Sequence, residues 1–157
     1  MIENFIQRKA SINDLKSIVA LLVEDELGST RDRLSEELDP KYLNAFKLID
    51  KDPNQYLMVV EKDNQIIATC HLTIMPSLTF TGSTRMQIEA VRVSEKLRGQ
   101  KIGEWMIERA LEYGRENNVG IIQLSTNKKR PRAKKFYEKL GFEASHEGMK
   151  LYLKGLK

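Results

Sequence analysis

The sequence predicts a mixed α/β (α+β) domain: a mostly antiparallel central sheet of about seven strands, flanked by four helices. Three observations predict it. Two apolar runs, Tyr56 to Glu61 and Gln65 to Met75, are joined by Lys62, Asp63 and Asn64, a turn that returns the chain antiparallel to itself. An apolar strand ending at Val93, an amphipathic helix over Lys101 to Asn117 and a β-branched run from Val119 to Ser125 form a strand–helix–strand unit, which implies a parallel pair. A further helix over Arg132 to Leu140 stops at Gly141, and Phe142 to Leu153 can close the sheet with a last pair of strands around His146, Glu147 and Gly148.

The elements follow in order. Phe5 to Lys9 reads as a short first strand. Ser11 opens a helix, with Asp14 three residues on in a capping-box arrangement. Leu15, Ile18, Val19 and Leu22 continue it at helical spacing. A second helix lies within Pro40 to Ile49, and Pro76 to Ser83 is a hairpin loop that leads to the strand Met86 to Val93. In the helix after it, Ile102, Met106, Ile107, Ala110, Leu111 and Gly114 share one face. No repeat or long linker divides the chain, so residues 1–157 are expected to form one domain.

Composition narrows the function. Of the 157 residues, 41% are hydrophobic and 31% charged, a globular balance rather than a disordered one. A net charge of +4 suits an anionic ligand and falls short of an argument for nucleic acid. Cys70 is the only cysteine, which excludes a disulfide scaffold. The first residues lack a signal-peptide pattern, and no run reaches the roughly 20 apolar residues of a membrane span. A cytoplasmic protein is expected.

Chemistry concentrates in residues 88–111. A strand ends, a polar loop with Arg98, Gly99 and Gly103 follows, and a helix begins. Such a loop delivers backbone N–H groups to a helix N-terminus, a ready anion site. Arg92, Lys96, Arg98 and Lys101 add positive charge at the same end. A phosphate-bearing ligand fits, and so does an ordinary turn with a solvated basic loop. A P-loop fits worse, for want of G-x-x-x-x-G-K-[ST], and so does a dinucleotide fold, for want of G-x-G-x-x-G after the first strand.

Arg98-Gly99-Gln100-Lys101-Ile102-Gly103 resembles the coenzyme A signature [QR]-x-x-G-x-[GA] of the GNAT superfamily of N-acetyltransferases, with Lys101 in place of the middle glycine. That replacement requires Lys101 to avoid positive φ. RAKKFYEKLGF, residues 132–142, is similar to the second signature of the family. Together they cover the chain best from Ile88 onward.

The resemblance implies the following. Acetyl-CoA is the co-substrate and no metal is needed. The strand before the loop splays from its neighbour at Ala90, Val91, Arg92 and Val93, whose backbone meets the pantetheine arm, and the backbone of Arg98, Gly99, Gln100, Lys101, Ile102 and Gly103 holds the pyrophosphate. The Val91 N–H corresponds to the oxyanion donor. Glu89 is the candidate base, acting through water, or else a structural carboxylate. Tyr137 corresponds to the proton donor for the coenzyme sulfur, or else is a core aromatic beside Phe136. The family asparagine position holds Arg130, with Asn127 nearby but out of register. The run that contains Lys134 meets the 3′-phosphate, or else is a solvated helix start.

Direct acetyl transfer to a primary amine of a small metabolite is therefore the expected activity. A non-catalytic acyl-CoA sensor is the alternative, and a basic nucleic-acid module around residues 128–135 is a third. A homodimer is a further expectation from the resemblance. Cys70 reads as a buried strand residue, His71 and His146 as hydrogen-bonded structural histidines or else lining of the acceptor pocket, Trp105 as packing, and Glu24, Asp25 and Glu26 as a solvated helix face or else an attractor for a cationic amine.

Overall fold

The computed structural model describes residues 4–156, with the backbone alone at Glu26. The strands are β1 (Ile6–Lys9), β2 (Gln55–Lys62), β3 (Gln65–Met75), β4 (Arg85–Val93) and β5 (Ile121–Leu124). The helices are α1 (Leu15–Val23), α2 (Glu26–Arg31), α3 (Pro40–Lys51), α4 (Thr79–Gly82), α5 (Ile102–Glu116) and α6 (Pro131–Lys139), with short 3-10 turns at Ile12–Asp14 and Glu95–Leu97. The chain falls into two compact units that meet between Gln123 and Leu124.

In the first unit the sheet order is β1-β2-β3-β4-β5. The first three pairings are antiparallel. β5 runs in the same sense as β4: the N–H groups of Gly120 and Ile121 donate to the Thr84 carbonyl, and Gln123 meets Gln87 three residues on. The mixed class expected from the sequence holds, whereas the strand count is five among the described residues, not seven.

Two apolar layers cover the sheet. On one face, Leu15, Ile18 and Val19 of α1 and Phe46 of α3 pack with Leu57 and Val59 of β2. Ser11 anchors this layer: its N–H and hydroxyl donate to Asp14 Oδ2 at 2.7 and 3.2 Å, and Arg8 grips both oxygens of the same carboxylate at 2.7 and 2.9 Å. The Arg8 guanidinium holds the Asp14 carboxyl below its usual range. Leu21, rather than the expected Leu22, is the fourth buried position of α1. On the other face α5 buries Ile102, Met106, Ile107, Ala110 and Gly114. Gly114 permits close approach, because a Cβ there would sit 2.9 Å from Ile122 Cδ1 and 3.3 Å from Met86 Cε. Cys70, also buried, has its thiol pushed up to about 12 by loss of solvent.

Three expectations change. The 24–26 segment is not one solvated face: Asp25 caps α2 through Gly28 N–H at 2.6 Å, and Glu24 Oε2 accepts the Glu95 N–H at 2.9 Å. The 76–83 loop contains one turn, α4, in which Phe80 and Thr81 are left-handed. In the second unit, α6 is followed by residues without regular structure where the last strands were expected. Met149, Leu151 and Leu153 there are 92, 86 and 86% exposed. A strand needs a ladder partner and a covered face to be stable in water, and these residues have neither apolar cover nor a ladder.

Candidate active site

The first unit carries a break in the sheet. Thr69 pairs with Arg92 and His71 with Glu89, so two steps along β3 match three along β4. The extra residue makes a β-bulge, and Ala90 within it has φ +51°. Alanine in the left-handed region carries a penalty of roughly 1–2 kcal/mol, which persists only where the surroundings dictate it. Glu89 and Ala90 are exposed, whereas Met86 and Ile88, earlier on the same strand, are buried. Val91, Arg92 and Val93 are half-buried, and Arg92 Nη1 donates to the Val91 carbonyl at 2.8 Å.

Beyond β4 the chain makes the 95–97 turn, pinned by the Glu24 carboxylate, and reaches Arg98 and Gly99. Gly99 has φ +82° with no other group within 4 Å of where a Cβ would stand. Gln100 and Lys101 are exposed. Lys101 is left-handed, with φ 60° and ψ 20°, which corrects the expectation that it avoids positive φ. The loop must turn into α5 at this residue, and that turn imposes a glycine-like backbone whatever the side chain. Lys101 offers α5 no side-chain cap. Helix first-turn N–H groups left without such a cap favour an anion, although Ile102 itself is buried. Arg98 lies 3.5 Å from Glu95 in an exposed pair that leaves its charge accessible to solvent.

A polar cluster flanks the bulge. His71 Nε2 lies 2.7 Å from Gln55 Oε1. Arg85 Nη1 donates to Gln123 Oε1 at 3.1 Å, and Gln123 Nε2 donates to Gln87 Oε1 at 2.9 Å. Burial pushes the His71 imidazole below its usual range, and the Glu89 charge draws it back up. The cavity of about 430 Å³ elsewhere in this unit, between Arg8, Glu24 and Ser94, is lined by none of the expected site residues.

The second unit holds the remaining expected residues. Asn127 Oδ1 accepts the Lys129 N–H at 2.9 Å, and its carbonyl accepts the Arg130 N–H at 2.8 Å, so Asn127 shapes the turn into α6. Arg130 is the N-cap position and Pro131 the first helical residue. Lys134 pairs with Glu138 at 3.4 Å, both exposed. Tyr137 is buried, with Phe136 and Phe142 edge-on to it at centroid distances of 5.0 and 5.7 Å. Trp105, in the first unit, packs against Phe5, as expected of a structural ring. Among the described residues no His, Cys, Asp and Glu cluster could hold a metal.

By resemblance the sequence pointed to a splay at Ala90 to Val93, but not to its form as a bulge with left-handed Ala90, nor to the Gln55–His71 contact. An alanine inside a β-branched run carries no bulge signal, and His71 meets Glu89 only once the register is known.

A bulged strand, a left-handed loop and a helix N-terminus without a side-chain cap thus follow one another along β4 and α5. Residues 17–142 match the acetyltransferase (GNAT) family, and the chain belongs to it. Members of this family use acetyl-CoA. The aminoalkylphosphonate N-acetyltransferase of Salmonella typhimurium is 29% identical over 140 residues, 88% of this chain and 85% of that one. A crystal structure described as a transcriptional regulator from Bacillus halodurans C-125 is 42% identical, with a TM-score of 0.93 over 95% of this chain and 99% of that one. A predicted acetyltransferase from Clostridium acetobutylicum, solved with acetyl-CoA, shares the fold at 23% identity, with a TM-score of 0.73 over 95% and 96% of the two chains.

Proposed function

We propose that this protein transfers the acetyl group of acetyl-CoA to a primary amine of a small metabolite, in the cytoplasm, by direct attack. The bulge at Ala90 carries this reading. It interrupts the ladder beside an exposed carboxylate, Glu89, and leads through Val91, Arg92 and Val93 to the glycine loop. A peptide-like pantetheine arm can pair with such a strand as an added one. The pyrophosphate then rests on the backbone from Arg98 to Gly103, where the N-terminus of α5 favours negative charge. Asn127, Arg130 and Lys134 are assigned to the coenzyme by the same reading.

The amine nitrogen attacks the thioester carbonyl carbon, and the oxyanion that forms takes a hydrogen bond from the Val91 N–H. Glu89 accepts the amine proton through water. Collapse expels the thiolate, and the Tyr137 hydroxyl protonates it. A second copy of the chain would cover Met149, Leu151 and Leu153, so a homodimeric mass by light scattering is expected.

A second reading is a non-catalytic acyl-CoA sensor, favoured by the description of the 42% identical relative as a transcriptional regulator. One experiment separates the two. Acetyl-CoA is expected to raise the melting temperature in a concentration-dependent way, and a panel of primary amines to yield one that releases free thiol. Stabilisation without thiol release favours the sensor; no stabilisation at saturating acetyl-CoA overturns both.

A further inference from the structure

Acetyl transfer requires a resting place for the proton that the amine gives up, and a carboxylate alone is a weak base for it at neutral pH. A histidine stands next to the candidate carboxylate. His71 pairs with Glu89 in the last register position before the bulge. Directly opposite residues in an antiparallel pair share a face and lie within side-chain reach.

The tautomer of His71 follows from its neighbours. Gln55 Nε2 donates to Asp52 Oδ2 at 3.0 Å, and Gln55 Oε1 faces His71 Nε2 at 2.7 Å. A carboxylate only accepts, so the amide must turn its NH₂ toward Asp52 and its oxygen toward the ring. That oxygen also only accepts, so Nε2 carries the hydrogen and Nδ1 keeps its lone pair. Asp52 is fixed in turn: it ends α3, and its Oδ1 accepts the Asn54 N–H at 2.9 Å. The hydrogen bonds from Gln55 and Asn54 hold its carboxyl below the usual range, so it is ionised at neutral pH.

We propose that His71 is a proton-relay residue for the acetyl transfer, its tautomer set by Asp52 and Gln55, which takes from Glu89 the proton lost by the amine. This rests on the transfer reading above. As the amine lone pair forms the new C–N bond, an N–H proton passes through water to Glu89 and on to His71 Nδ1. Glu89 is then again a carboxylate, beside an imidazolium whose Nε2–H remains on Gln55. The ring releases its proton to solvent, and the thiol carries the proton given by Tyr137, which solvent restores.

The pH dependence has a defined sign. Glu89 faces the ring from β4, and Asp52 acts on it through Gln55 from the end of α3. The buried positions of α1, which packs on β3, are the apolar Leu15, Ile18, Val19 and Leu21. Burial keeps the ring neutral at neutral pH, able to accept, and activity falls as pH drops through its titration.

The test combines two-bond ¹H–¹⁵N correlation of the full-length protein with pH–rate profiles of thiol release. The expected spectrum shows hydrogen on Nε2 of the neutral His71 ring. His71→Gln is expected to lower kcat/KM by roughly 100-fold, with an unchanged acetyl-CoA thermal shift and without the acid limb of the wild-type profile. Gln55→Glu, which adds a charge at the ring, moves that limb to higher pH and carries the kinetic test should His71→Gln not fold. A ring protonated on Nδ1, or a wild-type profile in these variants, overturns the relay and leaves the transfer reading intact. A wild-type protein that binds acetyl-CoA and releases no thiol with any amine overturns the transfer reading and the relay with it.

Discussion

The β2–β3 turn and the two ends of the β4–α5 segment share one unusual backbone conformation and differ in the residues that adopt it. Asp63 and Asn64 have φ of 51° and 62°. Ala90 and Lys101 have φ of 51° and 60°. Consecutive left-handed residues suit a tight hairpin, and Asp and Asn tolerate that region. Alanine and lysine do not share this tolerance. At the hairpin, composition relieves the strain; at the bulge and the loop it does not. Unrelieved strain concentrates where backbone shape matters more than stability, and here it brackets the stretch assigned to coenzyme binding. Phe80 and Thr81, with φ of 51° and 57°, are a third strained pair, outside that stretch.

Substitutions at these positions can break or sharpen the contrast. The largest effect is expected at Ala90. Ala90→Val places a β-branched side chain at positive φ. It is expected to lower stability by about 2 kcal/mol in urea unfolding and to abolish thiol release at temperatures where the variant is folded. Full activity would detach the bulge from function. Lys101→Gly relieves a left-handed penalty of roughly 1–2 kcal/mol, less the added chain entropy of glycine. A melting temperature higher by about 2–4 °C is expected from a net gain near 1 kcal/mol. An unchanged or lower value would mean that the loop does not hold this strain. Asn64→Gly is the control, expected to change stability by no more than about 0.5 kcal/mol, because Asn already suits its position. A gain there equal to that at Lys101 would erase the contrast.

Much of the fold was legible because its signals are local. The face Ile102, Met106, Ile107, Ala110, Leu111 and Gly114 is a 3.6-residue period that any core-facing helix must show, and the structure buries all but Leu111, which is half-buried. The Asp63–Asn64 turn is chemistry carried by two residues. Ser11 and Asp14 announced the start of α1 in the same way. The strands expected within 142–153 failed for the opposite reason. A strand depends on a partner, and sequence reports the apolar residues without reporting what they pair with. The glycine loop was legible as a motif, while the backbone of Lys101 was not: side-chain identity argues against positive φ, and only the path from β4 into α5 demands it.

Sequence alone therefore determined the fold class, the position of the glycine loop before α5 and, by resemblance, the family. Each depends on periodicity or motif, which contiguous residues carry. The tertiary structure alone decided the register that sets three steps along β4 against two along β3, the exposure of Glu89, and the Asp52–Gln55–His71 chain. The Gln55–His71 contact joins residues 16 positions apart and the His71–Glu89 pairing residues 18 apart, and no local preference encodes which strand neighbour a side chain will meet.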